Sequence, residues 1–343
     1  MLAYRRICWQ VWRGRGALNY KIAMRKLDRI QWGGPPCPPM FSRVAILAAI
    51  VIAVAILLPT RPAAAGDAVP HTIDVNGLSR SYLLYVPTGQ NGKRLPAFIM
   101  MHGSGSTDTQ QERYSDFDAF AQANGLVVMY PNGIDKHWND GRVIGHESQA
   151  DDVGFIKAML AEVIAQGVVD PKRVYAAGIS NGGFMAQHLA CVMPDALAGI
   201  AVVAATQPVD AACPSPRPMP VIFFQGTADK LVPFNGGPIA PQFGNRGTAM
   251  SNAQAVAIWQ KRNGCGAAQK TQLPAKNDPL QVTVETYSCP AGRGLENVIV
   301  QDGGHTWPGA HQGWLATRIL GPVTNNINAD ATMWTFFQSQ SAK

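Results

Sequence analysis

The sequence predicts an α/β fold in which a mostly parallel sheet is covered by helices on both faces. From Gly66 onward, short runs rich in β-branched and aromatic residues alternate with longer segments of helical periodicity. Several of the short runs lead directly into Gly-rich turns. Alternation of this kind is typical of parallel strands joined by crossover helices, so we expect residues 66–343 to form a single domain.

The individual elements follow from the same patterns, taken in chain order. Seven strands are predicted where an apolar run is short and bounded by turn residues: Tyr82–Val86, Ala97–Met101, Leu126–Tyr130, Val174–Ala177, Ile200–Ala204, Val221–Phe224 and Val298–Val300. An additional strand is predicted at Val282–Tyr287. Five helices are predicted where apolar residues recur at helical spacing: Phe117–Ala123, Val153–Ile164, Phe184–Val192, Asn252–Lys261 and Ala329–Phe337.

A candidate nucleophile lies between a predicted strand and a predicted helix. Residues Gly178 to Gly182 form the pattern Gly-x-Ser-x-Gly, with Ser180 at its centre. A strand-to-helix turn this tight imposes strained backbone geometry on the serine, and glycine on each side avoids a clash. Because a serine hydroxyl is a weak nucleophile, Ser180 needs a nearby base and a carboxylate that orients the base.

Candidates for both partners follow predicted strands further along the chain. Asp229 comes just after Val221–Phe224, and His305 comes just after Val298–Val300. Nucleophile, acid and base therefore occur in the chain order of α/β-hydrolases, each past the C-terminal end of a strand. Asp152 is the rival acid, but an Asp at the start of a predicted helix is also explained as a first-turn charge. The other histidines compete with His305: His71, His102, His137, His146, His188 and His311.

A Gly-rich turn upstream is suited to stabilising an oxyanion. The strand Ala97–Met101 leads into His102-Gly103-Ser104-Gly105, where the backbone N–H of Ser104 is a candidate donor and His102 a structural member of the turn. The second expected donor is the backbone N–H of Asn181, the residue after Ser180.

These motifs occur together with several longer ones in a single order. They are His102–Gly105, Tyr130–Gly133 with Trp138-Asn139, Asp151–Phe155, Gly178–Gly182, Gly226–Gly237 and Gly303–Gly309. The set resembles the secreted esterases of the poly(3-hydroxybutyrate) depolymerase and feruloyl esterase group over about residues 70 to 340. The resemblance implies an α/β-hydrolase fold with Ser180 as nucleophile, Asp229 as acid and His305 as base. The family often has a Cys where this chain has Ser104, but a backbone donor does not depend on that side chain.

The cysteines outside the N-terminal leader are Cys191, Cys213, Cys265 and Cys289. An even count in an exported chain favours disulfides, with three pairings possible and free buried thiols as the alternative. We expect Cys191 to pair with Cys213 and Cys265 with Cys289, because each pair closes a local loop and the resembling family is similarly cross-linked. No Cys or His spacing indicates a metal site, and we expect no cofactor.

The N-terminus predicts export. Residues 44–58 are uncharged and apolar, and Ala63-Ala64-Ala65 supplies small residues for cleavage. This run is shorter than the roughly 20 residues that span a bilayer as a helix, so residues 40–65 are predicted to be a signal peptide. The mature protein then begins near Gly66 and is secreted or periplasmic. The alternative is that the signal segment is not cleaved and remains as a membrane anchor. We expect no membrane association of any other kind.

The positive charge of the chain belongs to a basic leader, residues 1–39. The leader holds eight Lys or Arg residues and one acidic residue, Asp28, so its net charge is +7. This equals the formal net charge of the whole chain. Translation that starts at Met40 is one explanation for so long a leader. From Gly66 onward, 19 basic and 21 acidic residues leave a net charge of −2. The basic isoelectric point therefore does not indicate nucleic-acid binding.

The predicted function is a secreted serine ester hydrolase acting on short-chain or hydroxyalkanoate esters, including soluble 3-hydroxybutyrate oligomers in preference to solid polymer. Trp138 and Trp307 are expected to line an apolar cleft for the acyl group, with ordinary core packing as their alternative. A feruloyl or acetyl-xylan esterase is the alternative substrate class, and a peptidase is a weaker one. A noncatalytic binding protein on a hydrolase scaffold is the alternative of a different class. It has no need of nucleophile, acid, base and oxyanion turn together.

Overall fold

A computed structural model describes residues 66–89, 92–142 and 150–341, so the predicted leader and signal peptide lie outside the described residues. Twelve strands are present in these ranges: β1 Val69–Val75, β2 Leu78–Tyr85, β3 Leu95–Met101, β4 Val127–Pro131, β5 Val169–Ile179, β6 Gly199–Val203, β7 Val221–Gly226, β8 Gly237–Pro238, β9 Thr248–Ala249, β10 Ala268–Leu273, β11 Val282–Tyr287 and β12 Leu295–Val300. The same ranges contain seven α-helices: α1 Asp108–Ser115, α2 Phe117–Asn124, α3 Asp152–Ala165, α4 Asn181–Val192, α5 Asn252–Asn263, α6 Trp314–Leu320 and α7 Ala329–Ser341.

Ten of these strands form one mixed sheet in the order β1-β2-β4-β3-β5-β6-β7-β12-β11-β10. The six central strands, from β4 to β12, pair in parallel. The two strands at each end pair antiparallel, both with each other and with the central block. Parallel strands need crossover connections, and helices α2, α3, α4 and α5 lie between central strands in the chain. The predicted α/β-hydrolase class, with a mostly parallel sheet, is confirmed.

Helices cover both faces of this sheet. Alternate residues of a strand point to opposite faces, and Ile99 and Phe98 accordingly belong to two different core clusters. The helices add buried aromatic side chains, with Phe155 (α3), Phe184 (α4) and Trp259 (α5) in the first cluster and Phe117 (α2) and Phe337 (α7) in the second. The central strands are therefore buried on both sides, which explains why their sequences are continuous apolar runs.

Two disulfides join segments outside the central strands. Cys191, near the end of α4, is bonded to Cys213, and Cys265, just after α5, is bonded to Cys289. These are the two expected pairs. Their sequence separations are 22 and 24 residues. In a chain-entropy account, a bridge over a loop of this size stabilises the fold by about 3 kcal/mol. Within the described ranges, no helix has the length and apolar character needed to cross a membrane.

Candidate active site

The candidate site lies at one edge of the parallel block. Strands β3, β5, β7 and β12 run in the same direction, so their carboxyl ends meet at one edge of the sheet. In this order, the turns after these strands contain Ser104, Ser180, Asp229 and His305. This is the location where open α/β sheets place their ligand sites.

Ser180 occupies the tight turn predicted from the sequence. It is the N-cap of α4, with φ 59° and ψ −122°, a conformation that costs energy for any residue with a side chain. Its backbone N–H donates to Val203 O at 2.9 Å, which ties the turn to strand β6. A Cβ at Gly178 would overlap with the backbone of Gly182, and a Cβ at Gly182 with the carbonyl oxygen of Met101. The two glycines of the motif are therefore required by close backbone approach.

Asp229 and His305 are in contact. His305 Nδ1 lies 2.8 Å from Asp229 Oδ2, and the two side chains are only 6% and 0% exposed. The other carboxylate oxygen, Oδ1, accepts hydrogen bonds from the backbone N–H groups of Leu231 at 2.8 Å and Val232 at 2.9 Å. Because an ionised carboxylate only accepts hydrogen bonds, this arrangement places the imidazole proton on Nδ1 and leaves Nε2 with a free lone pair.

Backbone hydrogen bonds fix the two turns that carry these side chains. The N–H of Thr227 donates to Val300 O at 2.9 Å, and that of Ala228 donates to Gly303 O at 2.9 Å. The backbone N–H of His305 donates to the carbonyl oxygen of Leu320 at 2.6 Å, and Leu320 is the last residue of α6. The relative position of Asp229 and His305 is thus set by main-chain contacts as well as by their own hydrogen bond.

The predicted oxyanion turn lies directly against Ser180. A Cβ at Gly103 would lie 3.3 Å from the Cβ of Ser180. Ser104 is exposed, whereas His102 is fully buried and has the structural role expected of it. His102 Nε2 accepts the N–H of Gly133 at 3.0 Å, so the proton is on Nδ1, which donates to Gly103 O at 2.9 Å. Burial lowers the pKa of His102 to about 4, which keeps its imidazole neutral.

Asp152, the rival acid, is engaged elsewhere. Its Oδ1 lies 2.5 Å from Arg80 Nη2, and its Oδ2 accepts the backbone N–H of Asn139 at 2.7 Å. Asp151 caps α3 by accepting the N–H of Gly154 at 2.7 Å. These contacts give both carboxylates a structural explanation. Sequence reasoning did not find Arg80, since its partner is 72 residues away and no local pattern connects them.

The expectation that Trp138 and Trp307 line an open cleft is wrong, because both side chains are fully buried. The indole N–H of Trp138 donates to His102 O at 2.9 Å, and that of Trp307 to Asp330 Oδ1 at 2.9 Å. A buried indole with its N–H satisfied is a packing residue, which was the alternative for both. An exposed aromatic side chain is found instead at Trp314, which is 72% exposed on α6, the helix that ends at the His305 turn.

No cluster of three or more His, Cys, Asp or Glu side chains in the described ranges is arranged to hold a metal ion.

Comparison with known proteins shows similarity to esterases. The family model described as "Esterase PHB depolymerase" matches residues 80–213, a range that contains Ser104, Ser180 and Asn181. A protein that bears the name esterase NocK, from Nocardia uniformis subsp. tsuyamanensis, is 31% identical over 264 residues, which is 73% of this chain and 76% of that protein.

Two further matches come from a curated relative and a solved structure. Feruloyl esterase B of Piromyces equi is 31% identical over 245 residues, 68% of this chain, and this chain covers 44% of its length. The solved acetyl xylan esterase from Aspergillus awamori superposes with a TM-score of 0.52 at 14% identity, over 78% of this chain and 98% of that one. At this identity the structural match supports the fold alone.

The sequence relatives, the family model and the shared fold lead to one conclusion. The chain belongs to the esterase family of poly(3-hydroxybutyrate) depolymerases and feruloyl esterases, and it is a carboxylic ester hydrolase.

Proposed function

We propose that the protein hydrolyses esters through a covalent acyl-enzyme on Ser180. The observation that supports this most strongly is the Asp229–His305 contact of 2.8 Å at the sheet edge where the strained Ser180 turn also lies. Nucleophilic ester cleavage needs three groups. They are a serine in such a turn, an imidazole with a free Nε2, and a buried carboxylate that accepts a hydrogen bond from Nδ1 of that imidazole.

The reaction has two halves. In the first, Ser180 Oγ attacks the ester carbonyl while His305 Nε2 accepts the hydroxyl proton, and the imidazolium then gives this proton to the departing alcohol. In the second, His305 takes a proton from water, the resulting hydroxide attacks the acyl carbon, and Ser180 leaves with its proton restored. Asp229 stabilises the imidazolium in both halves and stays ionised.

The negative charge that develops on the carbonyl oxygen needs donors that are already in place. The backbone N–H groups of Ser104 and Asn181 are assigned to this role, since the Gly103–Ser104 turn abuts Ser180 and Asn181 begins α4. Donors that meet the charge only as it forms favour the transition state over the substrate. Loss of one such donor costs about 10² to 10³ in kcat in a bacterial serine protease.

Short-chain and 3-hydroxyalkanoate esters are the proposed substrates. This assignment is supported by the match of residues 80–213 to the depolymerase family model. Feruloyl esters are the second candidate, because a relative named feruloyl esterase B shares 31% identity over 68% of this chain. The burial of Trp138 and Trp307 removes the apolar cleft walls on which a preference for large acyl groups would have rested.

Export is part of the same proposal. The two disulfides are typical of proteins that fold in an oxidising compartment, and residues 44–58 with Ala63–Ala65 have the pattern of a cleaved signal peptide. N-terminal sequencing of exported protein is expected to begin at or near Gly66. Recovery of residues 44–58 on membrane-bound protein would replace this proposal with a retained anchor.

Substrate class is tested by comparing kcat/KM for 3-hydroxybutyrate dimer and trimer, methyl ferulate, p-nitrophenyl acetate and solid polymer. We expect the soluble hydroxybutyrate oligomers to be turned over better than the polymer and at least as well as methyl ferulate. A preference for methyl ferulate of more than about tenfold, roughly 1.4 kcal/mol in transition-state binding, overturns the hydroxyalkanoate assignment. The Ser180→Ala variant, measured on every substrate, controls for background hydrolysis.

A further inference from the structure

One segment, Gly133–Arg142, contacts both halves of the proposed oxyanion site, and we call it the bridging segment. On the side of the Ser104 turn, the N–H of Gly133 donates to His102 Nε2 at 3.0 Å, and Trp138 Nε1 donates to His102 O at 2.9 Å. The N–H of Gly105 donates to Lys136 O at 2.9 Å. The turn that presents Ser104 is therefore held from both of its ends by this segment.

On the other side, the bridging segment binds the side chain of Asn181. Asn181 Oδ1 accepts the N–H of Trp138 at 2.8 Å, and Asn181 Nδ2 donates to Trp138 O at 3.1 Å. The same Nδ2 donates to Asp140 Oδ2 at 2.6 Å. Asn181 is only 1% exposed, so water does not compete for these bonds. The residue whose backbone N–H is assigned to the oxyanion is thereby anchored through its own side chain.

Asp140 decides how the Asn181 amide is oriented. Its carboxylate is fully buried and is held by Arg142, with Nε 2.9 Å from Oδ1 and Nη2 2.7 Å from Oδ2. Such a two-pronged pair holds the carboxylate in one rotamer, with both of its oxygens accepting hydrogen bonds from the guanidinium. Because an ionised carboxylate only accepts, the Asn181 NH₂ must face Asp140 and the Asn181 oxygen must face Trp138 N–H. Arg142 also packs over the Phe184 ring of α4 at 4.8 Å, which joins the pair to the helix that Ser180 caps.

We propose that Asp140 is a positioning residue of the oxyanion site: through Asn181 and the bridging segment, it fixes the relative position of the Ser104 and Asn181 backbone donors. This inference rests on the proposed serine mechanism. In this proposal Asp140 acts through its hydrogen bond to Asn181 rather than directly on the reacting atoms. Its effect is on preorganisation, so its loss weakens binding of the transition state more than binding of the ester.

The first test compares Asp140→Ala and Asp140→Asn with the control Asp195→Ala. Asp195 also pairs with an arginine, Arg217, at 2.6 Å, but its side chain is 90% exposed and it belongs to no part of the site. The readout is kcat per active site, titrated from the p-nitrophenol burst, and KM for p-nitrophenyl acetate. We expect Asp140→Ala to lower kcat about 10- to 100-fold while KM changes less than about threefold. Asp140→Asn retains an acceptor for Asn181 Nδ2 and should recover part of the loss, and Asp195→Ala should match wild type.

A second variant, Asn181→Ala, tests the proposal even if the Asp140 variants do not fold. Loss of Asp140 leaves Arg142 buried without this partner, which is strongly destabilising. Asn181→Ala keeps the backbone N–H of residue 181 and the Asp140–Arg142 pair. It removes only the side-chain amide that connects the two. Its kcat should fall by the same 10- to 100-fold in folded protein, with KM nearly unchanged.

Three results separate the possible failures. Wild-type kcat in folded Asn181→Ala, together with an inactive Ser180→Ala, overturns the positioning role and leaves the serine mechanism intact. An active Ser180→Ala overturns the mechanism itself. A lower melting temperature with unchanged kcat per titrated site shows that Asp140 and Asn181 stabilise the fold alone, and this also overturns the proposal.

Discussion

Asp229 is the residue whose surroundings are most specific to its proposed role. Two backbone N–H groups, the Gln225 side chain at 3.2 Å and His305 at 2.8 Å all reach its buried carboxylate. Each of these groups donates a hydrogen bond to the carboxylate, so both of its oxygens are occupied as acceptors. A carboxylate held in this way keeps the imidazole in one tautomer and one orientation, which is what the base needs before substrate arrives.

Exchange of each candidate acid for asparagine distinguishes Asp229 from Asp152. In Asp229→Asn, the amide fits the same space but disturbs the His305 tautomer, a change that costs about 10⁴ in kcat in the chymotrypsin-type proteases. We expect a loss of this order with the fold retained. Asp152→Asn keeps an acceptor for Asn139 and should reduce stability while kcat falls less than tenfold. An inactive Asp152→Asn beside an active Asp229→Asn would show that the acid is assigned to the wrong residue.

Asp330 links the pH dependence of stability to the packing around the His305 turn. Burial raises its pKa from 3.8 to about 7, although the hydrogen bond from Trp307 partly opposes this. The native protein therefore binds this proton more tightly than the unfolded chain does. The resulting stabilisation is complete below about pH 4 and is lost as the pH rises through about 7.

Asp330→Asn removes this titration and keeps an acceptor for the Trp307 indole. The melting temperature of the variant relative to wild type should therefore rise between pH 5 and pH 8, because only wild type must hold a buried charge at the upper pH. Asp195→Asn, at an exposed position, serves as the control and should show a much smaller trend. A difference for Asp330→Asn that stays constant or falls with pH would contradict the assigned direction.

The strained turn at Ser180 lies where the backbones of β3, β5 and α4 come close together. Gly182, in the first turn of α4, is pressed against the carbonyl groups of Met101 and His102 at the end of β3. A side chain here would force the helix away from the sheet. The same contact brings the Ser104 turn close to Ser180, so one glycine serves both the fold and the site.

Gly182→Ala tests this packing against a glycine that has room. The added methyl group must displace backbone, so we expect the free energy of unfolding to fall by about 2 kcal/mol or more, within the range of overpacking. Gly313→Ala is the matched control: its φ is −68° and a Cβ there meets nothing within 4 Å. Urea denaturation of both variants supplies the comparison. Equal stability of Gly182→Ala and wild type would show that the close approach at this glycine is not needed.

The sequence predicted the buried elements well and the exposed ones poorly. All eight predicted strands correspond to observed strands. Six of them belong to the central parallel block, where burial on both faces leaves a continuous apolar run. Strands β1, β8, β9 and β10 and helices α1 and α6 were not predicted. Strand β10, Ala-Gln-Lys-Thr-Gln-Leu, has mostly exposed side chains, so its position depends on pairing with β11 and carries no hydrophobic signal. The limits of the predicted strands also shifted, as with Leu78–Tyr85 in place of Tyr82–Val86.

The same distinction applies to the site. Ser180, Asp229 and His305 were found because each follows a strand in a recognisable order, and the structure brings Asp229 and His305 into contact. The Asp140–Arg142 pair has only two residues of separation and no motif, and the role proposed for it depends on its contact with Asn181, 41 residues away. The burial of Trp138 and Trp307 is likewise a tertiary property that proximity in sequence to His305 does not reveal.

At the scale of the whole molecule, strand order assembles a site from distant parts of the chain. Strands β7 and β12 are neighbours although Asp229 and His305 are 76 residues apart and four strands, β8 to β11, intervene in sequence. Strands β10 and β11 extend the sheet beyond β12 and leave the parallel pairing of β7 and β12 undisturbed. The parallel block therefore fixes the site, and the antiparallel ends complete the sheet around it.

The proposed acyl-enzyme on Ser180 can be tested by finding the serine that forms a covalent bond with an ester-like inhibitor. The purified chain is reacted with a fluorophosphonate ester, which phosphonylates activated serines, and is then analysed by intact-mass and peptide mass spectrometry beside Ser180→Ala. We expect one phosphonyl group per chain, on the peptide that contains Ser180, with matching loss of esterase activity and no label on the variant. Label at another residue, or full activity in Ser180→Ala, would contradict it.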